Sequence, residues 1–267
     1  MQIMIFGMKH RPMLISRILG RQRKTEMRSS SVAAGKRIYA VGDIHGRFDL
    51  LDEMLGRIAN DSYAFSGECE VIFLGDYINR GPASAQVLDR LSSLASPSFR
   101  YRFLMGNHEE IFLRVLNRES DMLKLFIQMG GRSTILSYGV DAAAYRTASY
   151  YDLGKMIIDH VPHEHIEFLG RLENRVIAGD YLFVHAGIDV HKDIDAQDPR
   201  VMRWIRREFT HSERQCAKTV VYGHTVYKDV DERGCRIGID TGAYTSGKLT
   251  AIVLEGNRRW LLQTGDG

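Results

Sequence analysis

Three short apolar runs, each ending in a Gly-Asp or Gly-Asn step, constrain the fold of this chain most strongly. Residues 37–41, 71–74 and 101–105 have strand composition, and the steps that follow them are Gly42-Asp43, Gly75-Asp76 and Gly106-Asn107. Between the runs, apolar residues recur at helical spacing, as at Leu51, Leu55 and Ile58. This order predicts a β-α-β-α-β layer of parallel strands with helical crossovers.

The second half of the chain has a different pattern. Residues of about 115–175 are predicted to form a helical insertion, punctuated by Gly130-Gly131. After it, five strand-like runs predict a largely antiparallel sheet: 181–184, 219–222, 236–240, 249–254 and 259–263. We therefore expect one domain over residues 37–267, which is within the usual size of a single domain.

Charge is distributed unevenly along the 267 residues. The formal net charge is +3, but residues 1–37 carry +8 and the remainder −5. Residues 1–36 are expected to be a flexible basic extension without a catalytic role, which makes at most weak contacts with anionic RNA or lipid. No stable nucleic-acid or membrane partner is predicted.

The cysteines and the hydropathy pattern bear on the compartment. Cys69, Cys216 and Cys235 are an odd, widely spaced set, which predicts neither a disulfide framework nor a thiolate zinc site. No run of 18 apolar residues and no secretory signal is found. A cytoplasmic protein is expected.

Six oxygen and nitrogen donors follow predicted strands, where sites assemble in open α/β sheets: Asp43, His45, Asp76, Asn107, His185 and His224. Asp43 and His45, two residues apart in an extended stretch, would point to the same side. Such donors suit Mn²⁺, Fe or Zn²⁺, and six are more than one catalytic ion takes from a protein. We therefore expect two divalent ions, with Mn²⁺ preferred.

Taken in order, five motifs resemble those of the PPP-type serine/threonine phosphatases of bacteria, within the calcineurin-like metallophosphoesterase superfamily: Gly42-Asp43-Ile44-His45-Gly46, Gly75-Asp76 to Gly81, Gly106-Asn107-His108-Glu109, His185-Ala186-Gly187 and Gly223-His224-Thr225. The resemblance implies a four-layer α/β (α+β) sandwich of two packed mixed sheets flanked by helices. It implies that Asp43 and His45 bind one metal, that Asp76 bridges both, and that Asn107, His185 and His224 hold the other.

The resemblance also implies roles for residues beside the ligands. Arg80 and Arg206 would grip phosphate oxygens, and His108 would donate a proton to the leaving group. Hydrolysis would proceed by direct attack of a metal-bridging hydroxide on a phosphomonoester. The stretch Asp240-Thr241-Gly242-Ala243 resembles bacterial members too. So does Gly130-Gly131-Arg132-Ser133-Thr134, although a helix-ending turn explains it equally well.

One position departs from the protein-phosphatase pattern. Asn79 stands where those enzymes usually have the Asp that supports the histidine equivalent to His108. The amide oxygen of Asn79 is expected to accept the N–H of His108, but it cannot stabilise imidazolium as a carboxylate does. The main interpretation is a phosphatase for phosphoprotein or small phosphoesters. The alternatives are a diadenosine tetraphosphate or other nucleotide pyrophosphohydrolase, and a non-catalytic phosphoprotein or nucleic-acid binder.

The segment from Gly242 to Leu249 nearly matches a phosphate-binding P-loop. Leu249, however, occupies the position where Ser or Thr would bind Mg²⁺. A β-rich run follows in place of a helix, so a hairpin is predicted here.

Overall fold

A computed structural model describes residues 30–119 and 121–265. Two five-stranded sheets form the centre of this part of the chain. The strands are β1 Lys36–Val41, β2 Glu68–Phe73, β3 Phe99–Phe103, β4 Arg175–Ala178, β5 Tyr181–Val184, β6 Thr219–Tyr222, β7 Asp231–Arg233, β8 Arg236–Gly238, β9 Thr250–Glu255 and β10 Arg258–Gln263.

The helices lie mainly between β1 and β4. They are α1 Phe48–Ser62, α2 Ser84–Ser92, α3 Asn107–Leu116, α4 Met122–Phe126, α5 Arg132–Ser137, α6 Ala142–Thr147, α7 Tyr150–His160, α8 His163–Gly170, α9 Pro199–Trp204, α10 Arg207–Thr210 and α11 Ala243–Ser246. A π-helical turn, Ile127–Gly131, joins α4 to α5. The helical insertion predicted at about 115–175 therefore corresponds to the segment from α4 to α8, which follows the end of α3.

Strand order places three parallel strand ends in each sheet. The first sheet runs β10-β9-β1-β2-β3, with β1, β2 and β3 parallel and β9 antiparallel to β1. The second runs β4-β5-β6-β8-β7, with β5, β6 and β8 parallel and the two outer strands antiparallel. The carboxyl ends of six strands are thus available to build one site.

Alternating burial along the strands produces the layers. In β1, Tyr39 and Val41 pack towards α1, α2 and α3, whereas Ile38 and Ala40 face the second sheet. In β5, residues of odd number face the first sheet and residues of even number pack against α9 and α10. Both faces of these strands are therefore buried, with alternate residues on opposite sides as the period of two in a strand requires. The predicted fold class, two packed mixed sheets flanked by helices, is confirmed.

Several local predictions were wrong. The second sheet is mixed rather than largely antiparallel, because β9 and β10 join the first sheet instead. The strands β4 and β7 were missed, since β7 consists of three charged residues and β4 is an outer strand of four residues with a single buried position. The predicted hairpin after Gly242 is a single helical turn, α11, bounded by left-handed glycines at 242 and 247.

The folded part begins before the predicted domain boundary at residue 37. Val32 is buried and its N–H donates to the carbonyl of Gly256, while the hydroxyl of Ser31 donates to Asp180. Lys36 is the first residue of β1. The predicted flexible extension of residues 1–36 therefore overlaps a packed segment at 30–36, and residues 1–29 lie outside the described residues.

Cys216 and Cys235 form a disulfide, which corrects the expectation of unpaired cysteines. The two residues are 19 apart in sequence. The loop before β6 and the turn before β8 bring them together, a proximity that sequence spacing did not reveal. The disulfide removes the argument for a cytoplasmic protein that the cysteine pattern had given, so cytoplasmic localisation stays a prediction. None of the described helices is long and apolar enough to cross a membrane.

We expect the segment 30–36 to contribute to stability. A chain that begins at Arg37 loses the burial of Val32, worth about 2 kcal/mol, which would lower the melting temperature by about 4–8 °C for a domain of this size. A chain that begins at Ser30 should melt like the full-length protein and keep kcat and KM within about twofold. Differential scanning calorimetry and a phosphoester assay check this, and equal melting temperatures for both truncations would contradict it.

Candidate active site

Six strand ends meet at one edge of the sandwich. The first sheet contributes Asp43 after β1, Asp76 after β2 and Asn107 after β3. The second contributes His185 after β5, His224 after β6 and, unexpectedly, Asp240 after β8. Five of these residues were predicted as ligands, and the sixth predicted ligand is His45. All six predicted ligands are buried, and none is more than about 6% exposed.

Asp76 lies at the centre of this group. Its Oδ2 is 3.6 Å from Nε2 of His45 and 3.7 Å from Nε2 of His108, and its Oδ1 is 3.4 Å from Nε2 of His185. Two sets of three donor groups share it: His45, Asp76 and His108, and Asp76, His185 and His224. A carboxylate shared by two donor groups suits a ligand that bridges two ions.

Backbone carbonyls orient two of the histidines as ligands. Nδ1 of His45 lies 2.9 Å from the carbonyl of Ile78, and Nδ1 of His185 lies 2.8 Å from that of Leu74. A carbonyl only accepts, so each Nδ1 carries a proton and each Nε2 is the ring nitrogen that faces the site. Metal-binding histidines are commonly oriented by such a hydrogen bond from the ring nitrogen that does not bind the ion.

Polar atoms surround Nε2 of His185. Oδ1 of Asn107 is 3.1 Å away and Nδ1 of His224 is 3.2 Å away, besides the carboxylate of Asp76. Burial lowers the pKa of His185, but the charge of the Asp76 carboxylate outweighs burial and the pKa is raised, so the surroundings of this nitrogen favour a positive charge. A cation among these atoms would turn the arrangement into coordination.

Unpartnered buried atoms also fit metal ions. Oδ2 of Asp43 accepts the backbone N–H of His224 at 3.0 Å, but its Oδ1 and Nε2 of His224 are buried without a hydrogen-bond partner. Burial, together with the carboxylates of Asp240 and Asp76, raises the pKa of Asp43 well above its usual value. The raised pKa reflects the cost of ionising several carboxylates in one buried space, a cost that a divalent ion would offset.

Burial keeps three of the imidazoles neutral. It lowers the pKa of His45 to about 3 and that of His224 to about 2, the latter with a further contribution from His185. Burial also lowers the pKa of His108 to about 4. Neutral imidazole is the form that binds metals, so the two predicted ligands among these need no deprotonation near neutral pH.

Asp240 was missed as a site residue. Its Oδ1 accepts the N–H of Gly242 at 2.9 Å, and its Oδ2 is buried without a partner. The sequence contained a signal, since Asp240 ends the predicted strand 236–240 and His224 comes two residues after the predicted strand 219–222. The likeness of the segment from Asp240 to Ala243 to bacterial enzymes did not by itself indicate a role.

Glu109 holds the loop that carries the central ligand. Its two carboxylate oxygens accept the backbone N–H groups of Asp76 and Tyr77 at 2.8 Å, of Gly106 at 3.1 Å and of Ile78 at 3.3 Å. Burial, and then the charge of Asp76, raise the pKa of Glu109 to about 7. The sequence places Glu109 in a motif without indicating this role.

Five non-glycine residues of the site have left-handed backbones: His45, Asp76, Asn79, Arg80 and His224, with φ between 47° and 70°. Such conformations cost free energy and persist only where neighbouring contacts impose them. His45 is therefore not in the extended stretch expected from its spacing to Asp43.

Asn79 contacts His108 as predicted, but through the other end of its amide. Nδ2 of Asn79 lies 2.8 Å from Nδ1 of His108, while Oδ1 of Asn79 accepts the hydroxyl proton of Thr134 at 2.7 Å. The expectation that the amide oxygen accepts the His108 N–H was wrong, because Thr134 occupies that oxygen. Nδ1 of His108 is an acceptor here, and its proton is on Nε2.

The two predicted phosphate-binding arginines lie exposed beside these buried groups. The guanidinium of Arg80 stacks 4.5 Å from the centre of the Tyr244 ring, and Tyr244 packs edge-on against His45. Nη1 of Arg206 is 3.5 Å from the carbonyl of His224. Both positive charges lower the pKa of His108, so both arginines lie near this ring. We call this solvent-facing side of the site, with Arg80 and Arg206, the opening.

Comparison with known families agrees with this geometry. The profile of the calcineurin-like phosphoesterases matches residues 36–245. The chain belongs to this family. The match covers every predicted ligand, and metal-dependent phosphoester hydrolysis is therefore the class of reaction that the buried Asp, Asn and His donors serve.

Among curated relatives, bis(5'-nucleosyl)-tetraphosphatases recur. An asymmetrical enzyme of Oceanobacillus iheyensis is 28% identical over 236 residues, covering 80% of this chain and 87% of that protein. A symmetrical enzyme of Neisseria gonorrhoeae is 25% identical over 279 residues, covering 86% and 96%. The resemblance to this superfamily is thus confirmed, whereas these relatives are not named as serine/threonine phosphatases.

Solved structures confirm the fold. A protein assigned as a diadenosine tetraphosphatase superposes with a TM-score of 0.59 at 20% identity, covering 89% of this chain and all of that one. A point mutant of a cold-active protein tyrosine phosphatase superposes with a TM-score of 0.51 at 18% identity, covering 86% and 80%. At these identities the likeness concerns the architecture alone.

We expect metal binding to depend on Asp76. Protein stripped by chelation should bind about two Mn²⁺ per chain in isothermal titration calorimetry, and Asp76→Asn should lose at least one site because both ions lose an anionic ligand. The same change should lower kcat by about 10³-fold or more.

Asp195→Asn removes an exposed carboxylate that pairs with Arg175; this variant is the matched control and should bind metal like the wild type. Unchanged stoichiometry and affinity in Asp76→Asn, or full activity in excess chelator, would reject the shared site.

Proposed function

We propose that this protein hydrolyses the phosphoanhydride chain of dinucleoside tetraphosphates. The observation that carries the proposal is the amide of Asn79 against His108, where a carboxylate would assist transfer of a full proton to a poor leaving group. The curated relatives named as bis(5'-nucleosyl)-tetraphosphatases, which align along most of this chain, support it. Nucleotide hydrolysis, the first alternative to the phosphoprotein interpretation, is therefore the function proposed.

The leaving group links the amide to the substrate. Hydrolysis of a phosphoserine releases an alkoxide, which needs a proton from a strong acid, whereas cleavage of a phosphoanhydride releases a phosphate that is already a stable anion. His108 carries its proton on Nε2 and accepts a hydrogen bond at Nδ1 from the Asn79 amide, so it is a neutral hydrogen-bond donor. Such a group stabilises charge on a departing phosphate oxygen without becoming an imidazolium first.

The residues at the opening would have different roles in the reaction. Arg80 and Arg206 would bind the non-bridging phosphate oxygens bidentately and orient the attacked phosphorus. His108 would donate a hydrogen bond from Nε2 to the bridging oxygen that leaves. The oxygen of a water molecule bonds to phosphorus as this P–O bond breaks. One proton of the water stays on the new P–OH group, and the other passes to the released phosphate or to solvent.

The buried donors would hold the metal ions. Asp43 and His45 would bind one ion, Asn107, His185 and His224 the other, and Asp76 both. Two divalent ions would activate water and neutralise phosphate charge. We propose Mn²⁺ as the occupant, with Fe or Zn²⁺ as the alternatives that the same sulfur-free set of carboxylate, amide and imidazole ligands suits.

A direct comparison of substrates tests the proposal. With Mn²⁺, we expect kcat/KM for diadenosine tetraphosphate to exceed that for a phosphoserine peptide by about 10²-fold or more, since only the alkyl ester requires full protonation. Chromatography of the products would show ATP with AMP for asymmetrical cleavage, or two ADP for symmetrical cleavage.

The Asp76→Asn variant, assayed in the same preparation buffer, controls for contaminating phosphatases. A higher kcat/KM for the phosphopeptide would instead favour a phosphoprotein phosphatase. Absence of turnover on both substrates with metal bound would overturn the proposal and favour a binding role.

Replacement of Asn79 tests the leaving-group argument. Asn79→Asp would place a carboxylate against Nδ1 of His108 and favour its protonated form, so kcat for alkyl phosphates such as phosphoserine peptides should rise about tenfold. The rate for p-nitrophenyl phosphate and for diadenosine tetraphosphate should change much less, because their leaving groups need little protonation. A uniform rise or a uniform loss across the substrates would contradict the assignment.

A further inference from the structure

The stretch Gly130 to Thr134 connects the helical insertion to the catalytic loop. The carbonyl of Gly130, whose φ is 93°, accepts the N–H of Arg80 at 3.3 Å. One turn later, Thr134 is completely buried and its hydroxyl reaches Asn79. Thr134 is neither a predicted metal ligand nor a predicted phosphate-binding residue, so its contact with Asn79 calls for a separate explanation.

The hydroxyl of Thr134 has three partners. Its Oγ1 lies 2.9 Å from the backbone N of Asn79, 2.9 Å from Oγ of Ser84 and 2.7 Å from Oδ1 of Asn79. A hydroxyl has one proton and two lone pairs, so Thr134 donates to one of the two side-chain oxygens at a time while it accepts the backbone N–H. The backbone N–H can only donate.

The two side-chain oxygens compete for the proton of Thr134. The contact with Oδ1 of Asn79 is the shorter, at 2.7 Å against 2.9 Å for Oγ of Ser84, and Ser84 already accepts the N–H of Asn79 at 3.0 Å. If the proton went to Ser84, Oδ1 of Asn79 would lose this hydrogen bond, and a buried acceptor without a partner is costly. With the Thr134 proton donated to Oδ1, Nδ2 of Asn79 faces Nδ1 of His108.

We propose that Thr134 is a positioning residue for hydrolysis: its hydroxyl fixes the amide of Asn79 so that Nδ1 of His108 accepts and the Nε2–H is presented to the leaving oxygen. The proposal rests on the proposed function in assigning His108 to the leaving group. It gives the helical insertion a part in the reaction, although no residue of the segment from α4 to α8 is a predicted metal ligand or phosphate-binding residue.

Three single variants separate positioning from packing. Thr134→Val keeps the shape but removes the hydroxyl, and Thr134→Ser keeps the hydroxyl but removes a methyl group. Ser133→Ala is the matched control, because the hydroxyl of Ser133 contacts the carbonyl of Gly130 and not Asn79. With diadenosine tetraphosphate, we expect Thr134→Val to lower kcat about tenfold with KM within about twofold. Thr134→Ser should stay within about threefold of the wild type, and Ser133→Ala should match it.

A double-mutant cycle tests the path through Asn79. If Thr134 acts only by orienting that amide, Thr134→Val should cost nothing further in the Asn79→Ala background. Additive losses, or a Thr134→Val enzyme with the kcat of the wild type, would overturn the proposal. An equal loss in Thr134→Ser would show that the methyl group and packing matter instead.

A spectroscopic measurement keeps the test independent of turnover. Imidazole ¹⁵N spectra of the metal-free full-length chain at pH 8 should show His108 with its proton on Nε2 in the wild type and in Thr134→Ser, and a mixture of tautomers in Thr134→Val. The same tautomer in all three proteins would refute the positioning role. If the wild type has this tautomer but does not hydrolyse diadenosine tetraphosphate, the proposed substrate fails while the positioning role stands.

Discussion

The carboxylate of Glu109 organises the site, because it binds four backbone N–H groups of the two loops that follow β2 and β3. One side chain from the first turn of α3 thereby fixes the loop of Asp76 against the loop of Asn107. The left-handed residues Asp76, Asn79 and Arg80 all lie on or just after the stretch that it binds. These hydrogen bonds help to offset the cost of three such conformations in one loop.

Charge balance explains why so many polar groups can be buried together. Asp43, Asp76 and Asp240 bring carboxylates into a space where His45 and His224 are neutral and where Arg80 and Arg206 are exposed at the opening. Bound divalent ions would neutralise this interior. The arginines would then remain available for an anionic substrate, whose charge increases with each phosphate in its chain.

Sequence patterns predicted the parts of the site that depend on local structure. Predicted ligands that follow strands lie together in the structure because parallel strands end at a common edge. Residues whose role depends on distant partners were not found. The direction of the Asn79 amide is decided by Thr134, 55 residues away, and no local pattern reveals such a contact. Asp240 was overlooked for the opposite reason, since its position after β8 was visible but no ligand motif drew attention to it.

The division of ligands between the sheets has a consequence for folding. Asp76 and Asn107 extend from the first sheet, and His185 and His224 from the second. An ion held by all four would join the two halves of the sandwich as a non-covalent cross-link, and its binding energy would be available only after both sheets had assembled. Metal supply would then govern how long the chain survives as a folded protein, as well as how fast it turns over substrate.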